Sequence, residues 1–174
     1  MSWRFLKELL SNFLNGWNIF TTQSKYMEFS DIAAVSGKGI LFKIINPTRT
    51  GVILESMDDH KKKMVATMHN KVSILSEISI YTTDSEGATP LEEVMRKIHQ
   101  EFNGDTDLDK NSSPEELKSF MKFILPEYDE DRVYVSDIKK VVSWYAQIVE
   151  RVPDVFNTDQ QEQETSEQGE PKDE

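Results

Sequence analysis

The sequence contains no cysteine. Disulfides, thiolate metal sites and cysteine nucleophiles are therefore excluded, and a reducing cytoplasm is the expected compartment. Positive charge is also short: 20 Lys and Arg face 31 Asp and Glu, a net charge of −11 over 174 residues. A surface with that balance repels phosphate backbones unless a local basic patch prevails, so DNA is not an expected partner. The length suits one ordinary domain or two small ones sharing a core, and it excludes a large multidomain enzyme.

The charge is unevenly spread. Residues 157–174 hold seven acids against Lys172, a net of −6, and no apolar residue. Such a segment buries too little surface to offset its ordering entropy, which predicts a disordered acidic tail. Residues 27–83 carry seven Lys or Arg against six acids, a net of +1, whereas residues 84–156 carry nine against seventeen, a net of −8. A near-neutral first half thus precedes an acidic second half.

Residues 1–26 place Trp3, Leu6, Leu10, Phe13, Leu14 and Trp17 at helical spacing. Glu8, Asn12 and Asn15 break any signal-peptide core, and the stretch is too short and polar to span a bilayer. Two readings stand. The leader is an amphipathic interfacial helix, the only route to membrane contact, or Met27 is the initiating residue and the leader a misassigned start.

Ser36-Gly37-Lys38-Gly39 invites comparison with a phosphate-cradling loop. A phosphate loop needs Ser or Thr after its lysine, a glycine five residues before the last one, and a helix to follow. Gly39 follows Lys38, and the dinucleotide fingerprint fails at Phe42. The next residues, ILFKII, are β-branched and aromatic and read as a strand, so the glycines are assigned to a chain reversal. A short helix over 29–35 with Ser30 as its N-cap is expected before them.

After that corner the pattern is a meander. ILFKII (40–45) ends in a turn over 46–51, VILES (52–56) returns, a second turn covers 57–61, and KMVATM (63–68) is a third strand. ISIYT (78–82) is a fourth, following a short VSILSE that is read as helical. Short strands with tight turns predict an α+β fold: a small SH3-like barrel or a curled antiparallel meander, followed by a three-helix unit. The helices carry stripes at 91, 94, 95, 98 and 102, at 117, 120, 121, 124 and 125, and at 138, 141, 142, 145, 148 and 149. Thr89-Pro90-Leu91-Glu92 and Ser113-Pro114-Glu115-Glu116 both spell a capping box, the third helix is expected to begin at Ser136, and Pro126 and Pro153 supply stops.

No catalytic, cofactor or metal site is readable. Asp105, Asp107, Asp109 and Glu116 have the spacing of a calcium loop, but Lys110 stands where glycine is needed and Ser112 where an apolar residue is usual. Glu116 also has a competing role at the third position of its helix, so the loop is read as an acidic connection with Asx turns. His60, His69 and His99 fit no ligand spacing and are read as exposed. Ser36 lacks the glycines of a nucleophile elbow.

Two surfaces are candidates for partners. Arg49, Lys61, Lys62, Lys63 and Lys71, with Lys38 and Lys43 on the same half, could meet an anion such as RNA, or could merely guard strand edges. Tyr134, Trp144 and Tyr145 are the preferred protein-contact residues, suited to a groove or to a homo-oligomer.

Several blocks resemble a known family: Val35-Ser36-Gly37-Lys38-Gly39-Ile40-Leu41-Phe42-Lys43-Ile44, Gly51 to Ser56, Ile78 to Thr83 and Asp131 to Lys140. They are similar to an uncharacterised family of small Bacteroidota proteins that joins a barrel-like domain of unknown function to a helical one. The resemblance spans roughly residues 28–150 and departs between Lys38 and Gly39, where the family often carries proline. It implies the architecture and assigns no activity. The expected organisation is a leader over 1–26, a β-rich domain over 27–83, a helical domain over 84–156 and a tail over 157–174. The expected function is a non-enzymatic cytoplasmic interaction module, with an RNA- or ribosome-associated factor as the alternative.

Overall fold

The computed structural model describes residues 27–157. The expectations for the leader, and for the tail beyond Asn157, fall outside the described residues. The chain is α+β. Strands β1 (Ile32–Val35), β2 (Leu41–Thr48), β3 (Gly51–Ser56), β4 (Lys63–Thr67) and β5 (Val72–Ile74) form one antiparallel sheet in the order β4-β3-β2-β1-β5. β4 and β5 are both edges, so the sheet is an open meander rather than a closed barrel. A two-stranded ribbon, β6 (Ser79–Tyr81) with β7 (Ala88–Pro90), leads into helices α1 (Leu91–Phe102), α2 (Pro114–Ile124) and α3 (Val135–Arg151).

Alternation along the strands separates two apolar clusters. Ile32 and Leu41 point to the face covered by the helices, where they join Leu91, Met95, Ile138 and Ile148 in the main core. Ala33, Val35, Phe42, Leu54 and Ala66 point the other way and form a second, smaller cluster. In that cluster Ile44, Leu54 and Met64 stand in register across three strands. Cross-strand neighbours of this kind each contribute a few tenths of a kcal/mol to about 1 kcal/mol.

The helical stripes are buried as their spacing requires: Leu91, Val94, Met95 and Ile98 on α1, Leu117, Phe120, Met121 and Ile124 on α2, and Ile138, Val141, Val142, Tyr145 and Ile148 on α3. Phe102, Leu125 and Val149 are partly buried against the same core. The capping box at α2 is present, since the Glu116 amide donates to Ser113 Oγ at 3.2 Å and the Ser113 amide donates to Glu116 Oε2 at 2.8 Å.

Local expectations fail where pairing overrides propensity. The helix expected over 29–35 is a single 3-10 turn, Phe29–Asp31, whose N-cap is Glu28, and Ser30 lies inside it. Residues 32–35 are instead drawn into the sheet by pairing with β2 on one side and β5 on the other. The turn expected over 46–51 shrinks to Arg49 and Thr50, because β2 continues through Pro47, which pairs with Val52. Proline is tolerated there because β1 pairs β2 only at Leu41 to Lys43, so the missing N–H faces no partner strand. The segment read as helical, VSILSE, is strand β5 followed by a 3-10 turn, Leu75–Glu77. ISIYT leaves the main sheet and pairs with β7, which takes Thr89 into a strand opposite Ile80 and denies it the role of N-cap. Pro90 caps α1, and the Leu91 amide donates to the Ile78 carbonyl at 2.8 Å. Helix α3 begins at Val135, one residue early, with Tyr134 as N-cap.

Candidate functional site

The Gly-Lys-Gly corner reverses the chain between β1 and β2. Gly37 has φ +77°, a conformation in which a side chain is strained, and the Lys38 amide donates to the Val35 carbonyl at 2.9 Å to close the turn. A strand follows the corner, so the helix dipole that a phosphate loop requires does not stand behind it.

What the corner does is face helix α3. Gln147 projects from α3 and is held by residues 39–41: its Oε1 accepts from the Leu41 amide at 2.9 Å, and its Nε2 donates to the Gly39 carbonyl at 3.2 Å. Nε2 also donates to the Ser143 carbonyl, 3.1 Å away within α3. One side chain thus stands in for a strand partner at the start of β2 and ties the corner to the helix.

One helical turn before Gln147, the sheet and α3 diverge into a cleft of about 430 Å³. Its walls carry four lysines: Lys38 from the corner, Lys71 from the approach to β5, and Lys139 and Lys140 from α3. Ser36, Ser73 and Ser143 add hydroxyls, and the partly buried Trp144 closes one side. Lys140 Nζ donates to Asp137 Oδ1 at 2.7 Å and is partly neutralised. Lys38, Lys71 and Lys139 have no carboxylate partner among the described residues. An acidic chain therefore presents a concentrated positive field at one concave site, where low-dielectric walls strengthen it.

Beyond Trp144 the cleft continues into a second hollow of about 350 Å³, which shares Ser73, Lys140 and Trp144 with the first. This part is more apolar, lined by Ile78, Ile80, Val133 and Val141. At its rim the Arg132 guanidinium lies 3.3 Å from the centroid of the Tyr81 ring, a cation–π contact that fixes both groups. A third hollow of about 510 Å³ is larger but electrostatically mixed. There Lys43, Lys61 and Arg151 face Glu55, Asp58, Asp59 and Glu150, and Arg151 pairs with Asp59, so no single sign of charge dominates.

The five residues expected to meet an anion do not form one patch. Arg49 sits at the β2–β3 turn and Lys61 to Lys63 at the β3–β4 turn, and β3 runs the full distance between these ends. Five residue steps of strand separate the ends by roughly 17 Å. Lys63 Nζ pairs with Glu55 at 3.7 Å, and Lys61 borders the mixed hollow. Lys71 alone joins the basic cleft, in company with Lys38. Lys139, Lys140 and Ser143 are the members that sequence reasoning missed; they follow the β-rich half by many residues, and only folding brings them opposite it.

The expected protein-contact trio is also divided. Tyr145 is buried, because its stripe position turns it into the core, where its hydroxyl accepts from the Gly104 amide at 3.1 Å. Tyr134 is exposed at the N-cap of α3, about 15 Å along the axis from Trp144. Trp144 remains, between the two hollows.

His60 and His69 are exposed, as their turn positions require. His99 is not: it is half-buried and stacks on Phe156 with ring centroids 4.2 Å apart and planes 6° from parallel. Its Nδ1 lies 3.2 Å from the Tyr145 hydroxyl. The same hydroxyl accepts from the Gly104 amide, so Tyr145 links the α1 ring to the turn that follows the helix. Burial pushes the His99 pKa below its ordinary value.

The acidic loop is occupied by turn chemistry. Asp105 Oδ1 accepts from the Asp107 amide at 3.0 Å, and Asp109 Oδ1 accepts from the amides of Asn111 and Ser112. The backbone bond from Ser113 holds the Glu116 carboxyl below its usual range.

Two family models match the chain, each described as a domain of unknown function: DUF5606 over residues 29–75 and DUF6852 over residues 78–148. The chain is also similar to a Bacteroides vulgatus protein solved by solution NMR as a structural-genomics target. The two are 35% identical, with a TM-score of 0.58, and the match covers 71% of this chain and 87% of that one. The chain belongs to this Bacteroidota family. No curated protein matches it.

The two matched regions meet at the 3-10 turn after β5, and the basic cleft draws on both of them. Lys38 and Lys71 come from the first; Lys139, Lys140 and Trp144 come from the second. In this family member the site is a product of domain docking, and Gln147 is the side chain that bonds the two together beside it. Among the described residues no helix is long and apolar enough to cross a membrane.

Proposed function

We propose that this protein is a non-enzymatic interaction module whose basic cleft holds an acidic segment of a protein partner. One observation carries the reading: four lysines from both domains converge around Trp144 on a chain whose net charge is −11. Against that background a basic concavity is specific rather than generic. In the lysine-lined half its titratable groups have one sign, and Asp137, in the other half, is paired with Lys140, which suits holding an anion better than moving protons. Cysteine-free composition suits the cytoplasm as its compartment.

Magnitudes limit what charge can do. Exposed ion pairs are worth about 0.2–1 kcal/mol each, so four supply on the order of 1–4 kcal/mol. Micromolar binding needs about 8 kcal/mol. The remainder must come from apolar contact, which Trp144, Ile78 and Val141 offer next to the lysines. An acidic peptide with apolar residues satisfies both halves of the cleft.

RNA satisfies the lysines and can stack on Trp144, but its backbone continues past the cleft onto a helical half with a net charge of −8. A short protein segment ends before it meets that repulsion. Fluorescence anisotropy with a labelled acidic peptide and a labelled RNA of equal length separates the two. The peptide is expected to bind and to weaken with salt and with the Lys38→Glu/Lys139→Glu variant. Tighter binding of the RNA would transfer the function to the nucleic-acid reading, and absence of binding by either would end both.

A further inference from the structure

The lysine cleft has a floor that its charge does not explain. Among the described residues strand β5 pairs with β1 on one side only and ends the sheet. The Ser36 amide donates to the Lys71 carbonyl at 2.9 Å, which fixes the phase of that ladder. In an antiparallel ladder alternate residues bond to the same neighbour, so Ser73 turns its amide and carbonyl to β1. Val72 and Ile74 turn theirs to the open edge. That edge borders the groove, since Ser73 lines both hollows while Ile78, Ser79 and Ile80 line the far wall of the second.

We infer that the partner binds by strand addition: an extended acidic segment lies along β5, bonds to the free backbone of Val72 and Ile74, and directs alternate carboxylates to Lys71, Lys139 and Lys140. This deepens the proposed function and rests on it. Side-chain phase supports the pattern. Ser73 faces the cleft and α3, whereas Val72 packs with the second apolar cluster on the opposite face. A guest strand continuing the sheet therefore needs acid on the α3 side and an apolar residue on the other, in strict alternation.

Other occupants fit less well. A second copy pairing β5 against β5 would bring two sets of the same lysines together, and like charges at a symmetric contact repel. The opposite edge, β4, carries an exposed Val65, and none of the hollows named above draws a lysine cluster to it among the described residues.

The test uses the full chain and a fluorescein-labelled octapeptide of alternating Glu and Val, with two further versions methylated on the backbone nitrogens of either the Glu or the Val residues. A repeat of period two cannot slip by one residue without exchanging its faces, so the two methylated versions probe opposite edges of the guest strand. Strand addition predicts that one version loses about tenfold or more in affinity while the other binds like the parent. Equal affinity of all three overturns strand addition and leaves the acidic-partner reading standing. Equal loss in both methylated versions also overturns it, because a bound strand has one bonded edge. Failure of the parent peptide to bind at low salt overturns the acidic-partner reading and the strand addition with it.

Discussion

Gln147 and Leu41, 106 residues apart in sequence, are joined by a hydrogen bond of 2.9 Å from the Leu41 amide to the Gln147 side-chain oxygen. The same amide group of Gln147 donates to Gly39. Together these bonds set the mouth of the basic cleft, because they hold the corner bearing Lys38 against the helix bearing Lys139. Gln147→Leu keeps the volume and removes both bonds. It is expected to lower stability by about 1–3 kcal/mol, the usual cost of leaving partly buried backbone groups unpaired, read from the urea midpoint. Gln147→Glu retains the acceptor for Leu41 but turns a carboxylate oxygen toward the Gly39 and Ser143 carbonyls, so it too should lose stability.

The cleft lysines are expected to matter for binding and not for folding. Lys38, Lys71 and Lys139 have no carboxylate partner among the described residues, so replacing any two by alanine should change stability by less than about 0.5 kcal/mol. Affinity for an acidic peptide should fall about tenfold, and its salt dependence should flatten. A large drop in the melting temperature of these variants would show that the lysines serve the fold instead.

Protonation of His99 should oppose folding. Burial depresses its folded pKa below the unfolded value of about 6.5, so the unfolded chain takes up the proton first as pH falls. Its contribution is complete above that pH and is lost as pH falls below it, toward the depressed folded value. Denaturant midpoints measured from pH 7.5 to 5 should show this decline, and His99→Gln should remove the part of the slope that begins near pH 6.5.

Gly51 is required by a close approach rather than by an unusual dihedral. A Cβ at this position would meet the Ala66 carbonyl oxygen at 1.9 Å, across the β3–β4 pairing. Gly51→Ala must push the two strands apart at a backbone contact that cannot yield, which is expected to cost about 3 kcal/mol or more. Circular dichroism melts would reveal it, and a variant as stable as the parent would contradict the register.

The α2 cap offers a smaller and independent effect. Ser113→Ala removes the acceptor for the Glu116 amide and should cost about 1 kcal/mol. Thr89→Ala, at the other sequence that spells the same box, should cost less, because Thr89 lies in a strand and caps nothing.

That contrast shows how much was legible in advance. Thr89-Pro90 and Ser113-Pro114 are equivalent as local strings, and only one of them caps a helix. The difference is that Ile80 sits opposite Thr89, and backbone pairing outweighs a cap worth about 1 kcal/mol. Residues 32–35 illustrate the same competition: partner strands on both sides convert an expected helix into β1. The helical stripes were readable because 3.6-residue spacing puts their members on one face whatever the partner is. The Gly-Lys-Gly corner was readable as a turn, and its opposition to α3 was not.

The sequence by itself determined the cysteine-free, acidic composition, the amphipathic helices, the meander of short strands and the absence of a phosphate-loop pattern, since each follows from residues within a few positions of one another. Tertiary structure decided which lysines gather in one cleft. Lys61, Lys62 and Lys63 are adjacent in sequence yet lie where the β3–β4 turn enters β4, outside the cleft lining, while Lys38, Lys71, Lys139 and Lys140 converge. Electrostatic potential depends on distance through space, and distance through space is set by how β1, β5 and α3 dock, which no local pattern encodes.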